Sequence, residues 1–325
     1  MDIKITKKRL ANVLNYEWLL SIVCIIGAIV LWSLLYTMLA TRLTDGQQFY
    51  FVKYEGVYTN SADADSKFIE NLRNGGGRDG KSVLSYDVYA VNLTEIMSAG
   101  GYSAYAMLDL RLTTGEGDVI VIGGGNKEYV EGESMSDLLS LVSSRRLMTI
   151  DELLSGAYKY TVGNGFISET GEIQEEKIED YFRNVRIKSA RNYRRMYNSE
   201  EKIREGVKNE IDRIHSIYQN YIVVSSAIEA AKEAGEDFLW YSKPVYVNSS
   251  EVSYGDQAAY GIDLSKLKEY KIGNGIWHTY DESGNSTVDG LVFAVINDSA
   301  IEQYDLRYES LAVIEYIIRT YSEYA

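Results

Sequence analysis

LDLRLTTGEGDVIVIGGGN, Leu108–Asn126, is the stretch on which the fold turns. Upstream of it, Ala104 and Met107 join Leu108 and Leu112 at helical spacing, so a helix is predicted from about Tyr102 to Leu112. Gly115-Glu116-Gly117 stops that helix, and Asp118 leads straight into Val119-Ile120-Val121-Ile122. Four uniformly apolar, mostly β-branched residues are what a strand buried on both faces requires. Working backwards, Ser82–Val91 alternates as a strand whose core face would carry Leu84, Tyr86, Val88 and Ala90. A strand, a helix and a strand in succession predict a right-handed parallel crossover. Further back, Gln48–Tyr54 reads as another strand, closed by Glu55-Gly56. Asn60–Asn71 follows as a short helix with Phe68, Ile69 and Leu72 as its apolar contacts, and Gly75-Gly76-Gly77 ends it. The class expected is α/β.

Composition narrows the function. The 325 residues are 46% hydrophobic and 25% charged, with one Pro, one Cys and two His, which excludes collagen-like, disulfide-framework and bulk-disordered chains. A formal charge of −14 repels a phosphate backbone, so no nucleic acid is expected as a partner. Trp18–Ala40 carries no charged residue and as a helix would rise roughly 34 Å, enough to span a bilayer core. A cleaved signal peptide would need a shorter apolar core and small residues spaced as A-x-A, but Met38 stands three residues into that box. Lys4, Lys7, Lys8 and Arg9 place the N-terminal side in the cytoplasm by the positive-inside rule. The expected organisation is a cytoplasmic N-terminus at 1–16, a transmembrane helix at 17–40 and an extracytoplasmic α/β domain at 41–325, single-pass in a cell membrane. Beyond position 40 the chain has 29 basic and 45 acidic residues and no cysteine, since Cys24 is within the apolar run. A disulfide-free exterior domain suits a bacterial envelope.

Leu108–Asn126 resembles the helix, Gly-Asp turn and buried strand in the first lobe of type II extracytoplasmic (periplasmic) solute-binding proteins. Met148–Leu154 resembles the acidic segment that follows in that family, Tyr260–Ser265 the strand of its returning chain, and Leu306–Tyr321 its closing helix. The resemblance implies a periplasmic-binding-protein-like domain that binds a solute and presents it to a membrane transporter, such as an ABC transporter, or to a sensor partner. Loops at the carboxyl ends of parallel strands converge on a crevice. By that logic Gly123, Gly124, Gly125 and Asn126 would approach a ligand without side-chain obstruction, and Glu55 and Gly56 would neighbour them. A nucleotide fingerprint is not met, because Glu128 stands where the last glycine of G-x-G-x-x-G belongs.

The middle of the chain departs from that family. Residues 172–235 read as a helical-hairpin insertion where a second lobe would alternate strands and helices. Ile178, Phe182, Val185, Tyr193 and Met196 mark the first arm, and Asn198 with Glu201 suggests the cap of the second. On the second arm Val207, Ile211, Ile214, Tyr218, Tyr221, Ser225 and Ile228 recur at alternating spacings of four and three, as in a coiled-coil seam. That seam would pack on its own partner helix and the α/β core, or offer a surface to a membrane-protein partner or a second copy. It motivates the alternative function, a non-enzymatic envelope scaffold acting through the insertion. Arg183, Arg186, Lys188, Arg191, Arg194 and Arg195 form a basic cluster, with Glu175, Glu176, Glu179 and Asp180 one turn earlier for local pairing.

After Gly235, Phe238–Tyr241 and Val245–Val247 resume strand character around Pro244. Gly275–Tyr280 and Thr287–Ile296 flank a polar turn as a β-hairpin. Asp281, Ser283 and Asn285 alternate as calcium ligands can, yet the later bidentate Glu of an EF-hand loop is missing, so no metal and no cofactor is expected. His215 and His278 are too few and too isolated for a zinc site, and no enzymatic constellation is legible. The 28 tyrosines offer rigid surfaces with polar tips, suited to ligand or protein contacts.

Overall fold

A computed structural model of the chain describes residues 18–39, 48–74, 90–97, 103–127, 134–242, 246–247, 250–251, 258–297 and 307–324. The chain divides into two units, Met1–Arg42 and Leu43–Ala325. In the first, α1 (Trp18–Leu39) is a 22-residue helix without a charged residue. Its described large side chains are exposed, Trp32 and Met38 at 72%. Among the described residues, no helix is long and apolar enough to cross a membrane.

The second unit is mixed α/β. Its seven-stranded sheet begins with β1 (Gln48–Lys53), β3 (Ala90–Glu95) and β4 (Val119–Ile122), and β1 pairs in parallel with both neighbours. Helix α2 (Ala64–Asn74) connects β1 to β3, and α3 (Ala104–Thr113) connects β3 to β4 across β1. The two crossovers lie on opposite faces. Phe49, Phe51, Val119 and Val121 pack with Phe68 and Leu72 of α2, whereas Val52, Ile120 and Ile122 pack with Ala104, Leu108 and Leu112 of α3. Strand alternation divides the side chains between layers, and a strand buried on both faces needs four apolar residues in a row.

The sheet is completed in the opposite sense. Strand β12 (Val292–Ile296) pairs antiparallel with β4, with β9 (Ala259–Asp263) and with the short β5 (Leu147–Met148), and β6 (Leu239–Tyr241) forms the far edge on β9, while β7 (Tyr246–Val247) and β8 (Ser250–Glu251) pair antiparallel with each other. The predicted hairpin is therefore only half formed. Strand β10 (Trp277–Tyr280) does turn back onto β11 (Ser286–Thr287) and pairs on its other side with β2 (Tyr58–Thr59). Residues 292–296 leave it at Gly290, whose φ is +73, and enter the central sheet, where an all-apolar strand finds burial on both faces. Of the strand expected at Ser82–Val91, 82–89 lie outside the described residues, and the described strand β3 carries it on from Ala90 to Glu95, four residues past the expected end. Val91, assigned from the sequence to the non-core face, is buried because its register partner is Phe49.

Helix α5 (Ile150–Tyr158) begins with a full capping box: Glu152 N–H donates to Thr149 Oγ1 at 3.1 Å and Thr149 N–H to Glu152 Oε2 at 2.9 Å. The insertion is helical as expected, with α6 (Glu175–Tyr181), a π-turn at Phe182–Arg186, α7 (Ile187–Ser189), α8 (Arg191–Met196) and the 35-residue α9 (Glu200–Ala234). Ser199 caps α9, in place of the predicted Asn198, by accepting from Lys202 N–H. Gly235 ends it at φ +76. Helix α10 (Ser310–Tyr321) is buried over most of its length and packs on α9 and α2.

An ionic cluster fastens the insertion to this body. Arg213 of α9 has no exposed side-chain surface and donates to Glu309 at 2.9 Å, to Glu210 at 3.0 Å and to the Tyr160 hydroxyl at 2.9 Å. Tyr160 lies in a second π-turn, Lys159–Gly163, and stacks on Tyr308 with ring centroids 5.2 Å apart. Burial drives the Tyr160 phenol far above its usual pKa, with the Arg213 charge opposing.

Candidate functional site

The carboxyl ends of β1 and β4 lie side by side, and the chain leaves β1 for β3 on one side of the pair and leaves β4 for β5, which pairs with β12, on the other. This is a topological switch point, where open α/β sheets form a crevice. Here the crevice is a cleft of about 1100 Å³.

One wall follows β1. Tyr54 N–H donates to Val121 O at 3.0 Å, carrying the ladder one residue past the strand, and Val57 N–H to Tyr54 O at 3.1 Å closes the turn through Glu55 and Gly56. Gly56 takes φ +80, which a side chain would strain. The Tyr54 hydroxyl donates to Asp137 Oδ2 at 2.7 Å. Burial, then the Asp137 carboxylate, pushes the Tyr54 phenol well above its ordinary range, so it remains a donor. That bond ties the β1 turn to the start of α4 (Asp137–Ser143).

The second wall follows β4. Gly123, Gly124 and Asn126 line the cleft, with Lys127 beside them. Gly125 does not line it. Its N–H donates to Gly290 O at 2.8 Å and its carbonyl accepts from Trp240 Nε1 at 2.8 Å. A Cβ there would stand 2.5 Å from Val292 Cγ2 and 3.0 Å from Trp240 Nε1, so this glycine serves close packing. The expectation that Gly125 faces a ligand is corrected on that ground.

The third wall is the β10–β11 hairpin, which supplies Thr279, Tyr280, Asp281 and Glu282, with Asp289 just beyond. Asp281 Oδ1 accepts from Ser283 N–H at 2.9 Å and Asn285 N–H at 2.8 Å. These bonds, Asn285 first, hold its carboxyl below the usual carboxylate range. The alternation that suggested calcium thus belongs to a side chain folding its own turn. No group of three His, Cys, Asp or Glu able to hold a metal occurs among the described residues.

Of the ligand-contact residues read from the sequence, Glu55, Gly56, Gly123, Gly124 and Asn126 converge on this cleft. Tyr54, Asp137, Tyr280, Glu282 and Asp289 were missed because they come from separate loops that only the sheet brings together. The described lining residues include no His and no Cys. His278 is buried beside the Tyr58 and Tyr280 rings with Nδ1 unpartnered, and burial lowers its pKa. His215 is half-buried on α9, within 3.3 Å of Gln219 Nε2.

The helical seam turns inward. Ile214 has no exposed surface, Val207 is buried, and Ile211, Tyr218 and Tyr221 are partly buried against the core of this same chain. The buried face also takes in Glu210, Arg213, Ile217 and Val224, broader than a coiled-coil stripe. The basic cluster disperses: Arg183 pairs with Glu179 at 2.7 Å and Glu200 at 2.6 Å, and Arg186 is buried over the Tyr193 ring. Arg191, Arg194 and Arg195 are exposed.

Comparison with protein-family models, with curated proteins and with solved structures finds no match to this chain.

Proposed function

We propose that the chain is a membrane-tethered, solute-binding-like protein whose second unit takes a small solute in the cleft between the β1 and β4 turns. The observation that carries this reading is the convergence of Glu55-Gly56 and Gly123-Gly124 at a topological switch point. The switch-point sheet also supports, as a proposal, the resemblance to type II solute-binding proteins. For the anchor, the 22-residue uncharged α1 with its exposed Trp, Ile, Leu and Val side chains supports a membrane span. The four basic residues before it favour a cytoplasmic N-terminus and an extracytoplasmic second unit.

The binding test is a thermal-shift screen of the full chain in lipid nanodiscs against a broad solute library. A stabiliser confirmed by calorimetry supports the reading, since a ligand of the native state raises the unfolding temperature by mass action. A screen with no saturable binder removes it. Topology is tested separately by protease added to intact cells, which should digest the second unit and spare the N-terminal segment.

A further inference from the structure

We propose that the segment of the helical insertion between α6 and α9 docks on anionic phospholipid headgroups; this rests on the membrane-tethered part of the reading above and not on the cleft. Charge comes first. Phe182–Ser199 contains no Asp or Glu, although the chain as a whole carries −14. Of the cations in that segment, Arg183 is held by Glu179 and Glu200, and Arg186 is buried over the Tyr193 ring. Lys188, Arg191, Arg194 and Arg195 are exposed and form no ion pair with any described carboxylate, Lys188 reaching only the Asn184 amide oxygen at 3.1 Å.

The fold then aims those charges. Tyr193 of α8 is buried with Phe182, Tyr197 and Val207, so Arg191, Arg194 and Arg195, at i, i+3 and i+4 of the same helix, share its outward face. The segment also leaves Val185 53% exposed. Cations together with an apolar side chain suit a bilayer interface, where the charges meet phosphates and the apolar group enters the headgroup layer. The occupant follows from the chain itself. Only residues 40–47 separate the uncharged α1 from β1, so on the tethered reading the second unit works at a bilayer surface. Beyond position 40 the chain is acidic and is repelled by anionic lipid, so docking through one basic segment gives the unit a fixed orientation toward the membrane. An acidic protein would pair with the same arginines; the tether is what favours lipid, and the test separates the two.

The full chain in phosphatidylcholine nanodiscs, mixed with sucrose-loaded vesicles of phosphatidylcholine with or without phosphatidylglycerol and read by co-sedimentation, tests this. Binding should require phosphatidylglycerol and weaken as salt is raised. Arg191→Gln, Arg194→Gln and Arg195→Gln combined should weaken it about a hundredfold, roughly fivefold for each cation taken from an anionic surface, and should leave Tm unchanged because the side chains are exposed. Arg191→Lys, Arg194→Lys and Arg195→Lys combined should keep most of the binding, since a lipid surface reads charge rather than a bidentate fork. Equal binding to both vesicle types, or none to either, overturns the inference. So does phosphatidylglycerol binding indifferent to the glutamine set, which Lys4, Lys7, Lys8 and Arg9 alone would give. Salt-sensitive self-association in sedimentation velocity, abolished by the glutamine set and without vesicle binding, overturns it in favour of a second copy as partner. Failure of the tether reading shows separately, as a chain that does not enter the nanodiscs.

Discussion

Replacing Arg213 with Met isolates the ionic cluster that joins the helical insertion to the sheet. Arg213 and Glu210 have 0% side-chain exposure and Glu309 2%, so neither glutamate gains water when the guanidinium is lost. Three hydrogen bonds go at once, to Glu309, Glu210 and Tyr160. Breaking a buried pair by removing one partner costs about 3–5 kcal/mol, because a charge remains without compensation. Methionine fills much of the arginine stem's volume, which keeps the cavity contribution small. For a unit of this size the loss corresponds to a fall in Tm of about 10 °C. Thermal unfolding followed by circular dichroism, together with denaturant titration, reads it. Replacing Glu210 and Glu309 with Gln alongside Arg213→Met should recover part of the loss. A single variant destabilised by less than about 1 kcal/mol would refute the account, since that is the range of a solvent-exposed pair.

Two further outcomes test the site and its surroundings. Gly125→Ala should destabilise the chain by about 1–3 kcal/mol through overpacking against Val292 and Trp240, and should weaken solute binding by displacing the Gly123-Gly124 turn; unchanged Tm and binding would contradict the packing role. His278 has a folded pKa below its unfolded value of about 6.5, so its contribution is complete above that pH and is lost as pH falls through the lower folded value. His278→Phe should flatten the acid limb of the stability profile relative to wild type, and parallel profiles for the two would count against burial as the cause.

Strong local signals made the first half of the second unit legible. Val119–Ile122 could only be a strand with both faces covered, and the residues around Leu108 had helical spacing. Partners distant in sequence were not legible. Val292–Ile296 looked like a hairpin arm because Thr287 belongs to one, and its real neighbours, β4 and β9, are set by the assembled sheet. The buried Arg213 cluster left no local signature, because Glu309, which Arg213 holds, lies 96 residues beyond it. The cleft was half read: its glycine turns have a local signature, whereas the acidic rim arises from three loops that carry no common motif.

The antiparallel insertion of β12 has a consequence for biogenesis. Until residue 292 has emerged, the chain can assemble β3, β1 and β4, but the hydrogen-bonding edge of Val119–Ile122 has no covering strand. A nascent or truncated polypeptide would then display an apolar, unprotected edge of the kind that recruits other chains into aggregates. Completion of the native sheet must wait for distant sequence, so a chain cut short of residue 292 should be far more prone to aggregate than the whole one.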